Sequence, residues 1–382
     1  MQSEPYRLFF PLGLVMGMVG VSHWLFYGLG WSQEYSGFYH FAVQIWLYMG
    51  GFAGGFLMTA IPRFSDTPVA SRVEVASFLL LMFFTFYFLL IQHWAFAAAC
   101  FIVWLFRLAW FVVKRFLKRQ IADPPTEFVW VPIAFAHGIA GTLLIFLSQV
   151  ITMPAGTMEM GKSMGSQGFL LSLVLGIGGY LGPRLMGIGG PLPSIKKEEV
   201  SSHRYFKIVF YVASGVFLFL TFCFPESPEN LWAHFLRAAL VTSILIFTKA
   251  LSWEWPRPKG FFSKLVWISF WMVAAGLWLA PLFPKYRVAM LHFVFIVGFS
   301  LLTFSVATMV VLSHSGQGER LQRSPWILWV LAFGIFSALA LRIAAQFFGD
   351  HYFGLLAVAA ALWLVTAGSW IFYSLPFIFR RV

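Results

Sequence analysis

YHFAVQIWLYMGGFAGGFLMTAIPR, residues Tyr39 to Arg63, is an unbroken apolar run with a histidine at one mouth and Ile61-Pro62-Arg63 closing the other. About 20 residues at 1.5 Å each cross the ~30 Å hydrocarbon core of a bilayer, so the run predicts one membrane-spanning helix. Gly50, Gly51, Gly54 and Gly55 leave bare backbone on its surface. Either a neighbouring helix or a flat cofactor can approach such a face closely.

The rest of the chain has the same character. Of 382 residues, 60% are apolar, 20% aromatic and 10% charged, against about 25% charged in water-soluble domains. The expected fold class is all-α: a polytopic membrane protein with about twelve transmembrane helices, forming one helical-bundle domain over residues 1–382. The spans fall near 8–29, 39–61, 73–92, 94–113, 128–150, 165–186, 206–224, 231–249, 265–283, 289–312, 326–347 and 352–377. No linker long enough to separate two soluble domains occurs. The first run lacks a small-residue cleavage site and reads as a retained helix.

A formal charge of +12 in a soluble protein would suggest nucleic acid. Here the cations sit in the short loops, and their distribution orients the helices instead. Twenty of the 26 Lys and Arg gather on one side of the membrane; Lys162, Lys285 and Arg287 fall on the other, and Arg107, Arg237 and Arg342 lie inside spans. That asymmetry places both termini in the cytoplasm. All 14 Asp and Glu lie in loops or at helix ends. Ion-coupled carriers and proton pumps usually need a carboxylate within the membrane, which argues against both. Cys100 and Cys223 lie in apolar runs, so neither a disulfide framework nor a Cys-ligated cluster is indicated.

Histidine is then the ionisable type left inside the membrane besides the three arginines. His40 and His292 stand near the outer face, each opening a Gly-containing span, and His137 lies near the middle of the fifth helix. Imidazole is the commonest protein ligand for transition metals and a frequent axial ligand of haem. His93, His203 and His351, at helix ends, read as headgroup-level residues. His292 and His314 are 22 residues apart on one helix, about 33 Å, and cannot share one haem or one metal. Arg237 and Arg342 are expensive in hydrocarbon; each suits a haem propionate or another polar partner, or bonds to backbone carbonyls. Gly187 to Pro191 lacks the strand and lysine of a nucleotide loop and reads as a connector, and His314-Ser315-Gly316-Gln317-Gly318 suits a glycine C-cap.

Several blocks resemble the NnrS family, membrane proteins reported to carry haem and copper and linked to bacterial nitric oxide stress. They are Pro5-Tyr6-Arg7-Leu8-Phe9-Phe10; His40 followed by Gly55-Phe56-Leu57-Met58-Thr59-Ala60-Ile61-Pro62; Leu291-His292 leading to Leu312-Ser313-His314-Ser315-Gly316; Arg342; and Trp363, Tyr373 and Pro376. The family's second histidine and its acidic neighbour are Ala42 and Val43 here, and the arginine after its G-H-T-G is Gln317, so one metal centre is altered or missing.

The resemblance implies a haem- and copper-binding protein of the bacterial inner membrane that binds or processes nitric oxide or a related small ligand. It carries only His40, His292 and His314 over as metal-ligand positions; Arg237 and Arg342 are candidate cofactor contacts because of their cost in hydrocarbon. An electron donor is not identified. The other class open to such a chain is a transporter or facilitator of haem, copper or a small solute, its histidines serving as transit ligands.

Overall fold

A computed structural model describes residues 4–120, 124–188, 201–224, 230–258 and 260–380. The chain is helical throughout, with no strand among the described residues. Eleven helices are long and apolar enough to cross a membrane. In chain order these are α1 (Tyr6–Gly28), α2 (Gly37–Ser65), α3 (Arg72–Leu90), α4 (Trp94–Leu117), α5 (Thr126–Val150), α6 (Thr157–Leu185), α7 (Ser202–Phe222), α9 (Phe261–Leu282), α10 (Pro284–His314), α11 (Trp326–Ala344) and α12 (Gly349–Ile378). The span expected at 231–249 is α8 (Leu231–Phe247), apolar but only 17 residues long. Several spans are longer than expected, α2, α6 and α10 most of all; α6 and α10 begin earlier, at Thr157 and Pro284.

Packing divides the chain into two compact units. The first comprises Met1–Gly13, Ile45–Leu181 and Gly190–Ile244, and the second Leu14–Gln44, Gly182–Gly189 and Leu245–Val382.

In the first unit the glycines of α2 form a helix seam. A Cβ on Gly51 would sit 3.0 Å from the Gly13 Cα, one on Gly55 2.7 Å from the Phe9 Cβ, and one on Gly54 2.7 Å from the Trp104 ring. The bare faces are therefore packed against α1 and α4. The α5–α6 contact is built alike: a Cβ on Gly141 would meet the Gly165 nitrogen at 2.5 Å. Small residues let backbones approach where lipid supplies no hydrophobic drive between helices.

In the second unit, α9 and α10 meet through Gly276 against Val294 and Gly298 against Val273, each at 2.7 Å for the added Cβ. The Trp370 indole N–H donates to Thr308 Oγ1 at 2.8 Å, tying α12 to α10. Phe261 and Trp329 stack face to face at 3.9 Å.

The second helix of each successive group of four, α2, α6 and α10, is the most buried of its group. Each is interrupted by π-helical turns: Val43–Met49 in α2, Met164–Gly168 and Val174–Gly178 in α6, and Phe293–Leu301 in α10. Such widened turns re-aim side chains and are frequent at functional sites.

One ion pair shows how charge is kept at a membrane edge. Glu74 closes the capping box of α3 with Ser71 and also accepts from the largely buried Arg115 at 3.1 Å. Glu74→Ala removes both roles and is expected to cost about 2–4 kcal/mol, with Glu74→Gln recovering the capping part. Thermal unfolding of the two variants in detergent measures the difference.

Candidate functional site

The second unit brings together His40, His292 and Arg342. His40 and His292 are electrostatic neighbours, and Arg342 is a neighbour of both. His40 lies one turn into α2, three residues before the π-helical stretch; His292 immediately precedes the one in α10.

The hydrogen bonds of the two imidazoles decide their chemistry. His40 Nδ1 lies 3.0 Å from the Gly20 carbonyl, and His292 Nδ1 lies 2.6 Å from the Val288 carbonyl. A carbonyl oxygen only accepts, so both rings carry their proton on Nδ1. Each Nε2 therefore presents a lone pair, and neither Nε2 is hydrogen-bonded to a described residue. Donation of one ring N–H to a carbonyl with the other nitrogen left open is how metal-ligating histidines are oriented. Both rings are half-buried, with part of each left accessible.

Arg342 adds an unmatched cation. Its neighbour Tyr352, at the start of α12, hydrogen-bonds it, but Nη1 is buried and meets no acceptor among the described residues. A buried donor without a partner costs free energy comparable to a lost hydrogen bond, more for a charged group. An anionic group beside Nη1 would remove that cost.

Nearby rings complete the mouth. Trp24 stands edge-on to His40, centroids 5.6 Å apart, and His23 lies 5.5 Å from Tyr39. His23 is not free to ligate through Nε2, which accepts the Ser36 N–H at 2.6 Å. Ser36 in turn caps α2, its Oγ accepting from the Tyr39 N–H.

Arg237 is placed elsewhere, in the first unit. It is 2% exposed and donates Nη1–H to Gln167 Oε1 at 2.9 Å and Nη2–H to the Thr221 carbonyl at 3.1 Å, with its guanidinium 3.8 Å from the Phe222 ring. Gln167 lies in a π-helical turn of α6. His137 and His234 are its electrostatic neighbours. His137 is fully buried, donates Nδ1–H to the Ile133 carbonyl at 2.9 Å, and has Gly168 pressed against its ring.

His314 closes α10. Gly316 is left-handed at φ +70°, the Gln317 N–H bonds the Leu312 carbonyl at 2.8 Å and the Gly316 N–H bonds that of Ser313 at 3.2 Å. This is the glycine C-cap expected from the sequence. His93, His203 and His351 are exposed, as headgroup-level residues would be. Among the described residues no three side chains of His, Cys, Asp or Glu converge on one point.

Sequence reasoning missed Tyr352, the acceptor carbonyls of Gly20 and Val288, and the polar cluster around Arg237. The carbonyls carry no residue-type signal, and π-helical turns have no short motif.

The fold defines a polytopic helical membrane protein, in which His40, His292 and the half-buried Arg342 are electrostatic neighbours. The chain belongs to the NnrS family: the family model described as NnrS protein matches residues 1–381. No curated protein matches it. Family membership makes it a nitric oxide-related membrane protein.

Gly20 brings α1 close enough for its carbonyl to reach His40; an added Cβ would meet Gln44 Nε2 at 2.6 Å and Val43 Cγ1 at 2.9 Å. Gly20→Val should push the helices apart, cost about 1–3 kcal/mol and release the His40 Nδ1 proton from its acceptor. Nitrogen-15 spectra of the imidazoles should show the change at His40 and not at His292.

Proposed function

We propose that this chain is a haem protein of the bacterial inner membrane, its haem held by His40 and His292, which binds or processes nitric oxide or a related small ligand. One observation carries the proposal. Both imidazoles have Nδ1–H committed to backbone and Nε2 open, beside an arginine nitrogen that lacks an acceptor. Arg342, held by Tyr352, would take a haem carboxylate. A haem held by His40 and His292 would supply a redox-active iron, which a diatomic ligand would reach where one of the two imidazoles gives up its place. Nitric oxide is small and apolar and can enter such a site from the lipid.

Copper has less support from these residues. Ala42 and Val43 stand where the resemblance would place a second histidine and an acidic residue, and two imidazoles are a thin set for a metal bound by protein alone. His314, about 33 Å along α10 from His292, would belong to a separate site. Arg237, with Gln167 and Thr221 as partners, acts in our proposal as a clamp within its own unit rather than as a haem contact.

Absorption spectra of the detergent-purified protein from haem-replete cells, oxidised, reduced and exposed to nitric oxide, test the proposal directly. A Soret band that shifts on reduction and again with nitric oxide is expected. His40→Ala and His292→Ala should each lower haem content sharply while leaving the size-exclusion profile intact, and Arg342→Gln should weaken retention without abolishing it. A featureless visible spectrum overturns the proposal, and substrate flux in proteoliposomes without a resident cofactor would put a transporter in its place.

The charge asymmetry of the loops puts both termini in the cytoplasm. Reporter domains that mature only in the cytoplasm should be active when fused at either end, and inactive when inserted after Leu29.

A further inference from the structure

The connection between α8 and α9 carries an inference independent of the histidine site. At 17 residues α8 is about 25 Å long, short of the ~30 Å hydrocarbon core. The chain beyond it does not run out into water. The Ser252 carbonyl accepts the indole N–H of Trp267 at 2.8 Å and that of Trp271 at 3.3 Å. These tryptophans lie six and ten residues into α9, about 9 and 15 Å along its axis from Phe261. The connection therefore folds back beside α9.

Two more tryptophans lie on this folded segment. Trp253 is 4.4 Å from the Trp271 ring and Trp255 is 5.2 Å from the Trp267 ring, centroid to centroid. Despite these contacts Trp253 is 85% and Trp255 60% exposed. Lys264, the last charged residue of α9, sets its ammonium 5.6 Å from the Trp255 ring. Everything in α9 beyond Lys264 is uncharged, so Lys264 marks the headgroup level. Trp267 and Trp271 then lie about 5 and 10 Å deeper.

Irregular backbone at that depth persists only if its polar groups are satisfied by the protein. Part of the segment is satisfied in this way, since the Ser252 carbonyl takes two indole donors and the Glu254 N–H takes Ser252 Oγ at 3.0 Å, while the exposed Glu254–Arg257 pair keeps its charges at headgroup level. Indole is the side chain best suited to the boundary between acyl chains and headgroups, with an apolar ring and one donor.

We infer that Ser252 to Trp255 is a re-entrant interfacial anchor. Its partner is membrane phospholipid: Trp253 and Trp255 bed at the acyl–headgroup boundary of a leaflet drawn thin beside α8, and Lys264 meets the lipid phosphate. A helix shorter than the hydrocarbon is accommodated by local thinning of just this kind.

Depth measurement by spin labelling tests the inference in the full-length protein reconstituted into phosphatidylcholine–phosphatidylglycerol vesicles, with Cys100 and Cys223 replaced by serine. Gln322 provides the reference, since its backbone lies against Gly260 at the start of α9 and its side chain is exposed. A label at Trp253→Cys should collide with oxygen several-fold more often than with a water-soluble nickel chelate; a label at Gln322→Cys should show the reverse. Trp255→Cys replaces Trp253→Cys if the latter fails to fold. Trp267→Phe with Trp271→Phe, which removes both donors to Ser252, should move the 253 label toward water. Equal, water-like accessibility at 253 and 322 overturns the anchor, as does a 253 label that does not respond to loss of the two indoles.

Discussion

A polar group inside hydrocarbon has no water to turn to, and the arrangement of this protein follows from how each such group is satisfied. Hydroxyls of the buried helices bond back to carbonyls of their own turn, as Thr59 does to Gly55, Thr142 to Gly138 and Thr308 to Phe304. Arg237 is spread over Gln167 and Thr221. Other buried groups meet no acceptor or donor among the described residues, the Trp104 and Trp130 indoles and His137 Nε2 among them, and Arg342 Nη1 is one of these.

The same economy shapes the backbone. Close crossings at Gly13–Gly51, Gly141–Gly165 and Gly276–Val294 pack the second helix of each group of four deep in the protein. Those helices also contain the π-helical turns. A π-helical turn adds a residue to the helical circuit and leaves carbonyls less well matched, a local cost that neighbouring packing must offset. It shifts the register of everything that follows, so the residues before it can face one neighbour while the residues after it face another.

Much of this was legible beforehand. Apolar runs separated by basic loops define the helices, because crossing hydrocarbon leaves a length and a charge rule that few other constraints imitate. The end of α8, expected at Lys249, falls at Phe247, where the chain turns locally: Lys249 is left-handed at φ +62° and the Leu251 N–H bonds the Leu245 carbonyl. His40 and His292 could be named from their place in the sequence, and Arg342 joins them in the fold. Arg237 could be recognised as costly, but not assigned its partners, since Gln167 is an ordinary polar residue until α6 brings it there. The double-glycine face of α2 allowed a helix or a cofactor, and only the positions of Phe9, Gly13 and Trp104 distinguish the two.

The acceptors behind the two imidazoles are not equivalent. His292 gives its proton to Val288, four residues back on its own helix, whereas His40 gives its proton to Gly20 on α1. The donor strength of a ligating imidazole rises with the strength of the bond its other nitrogen makes. On one side of the site that strength is a fixed property of a single helix. On the other it depends on how closely α1 crosses α2, so a small slide of α1 would change the basicity that His40 could offer to any group held at its Nε2.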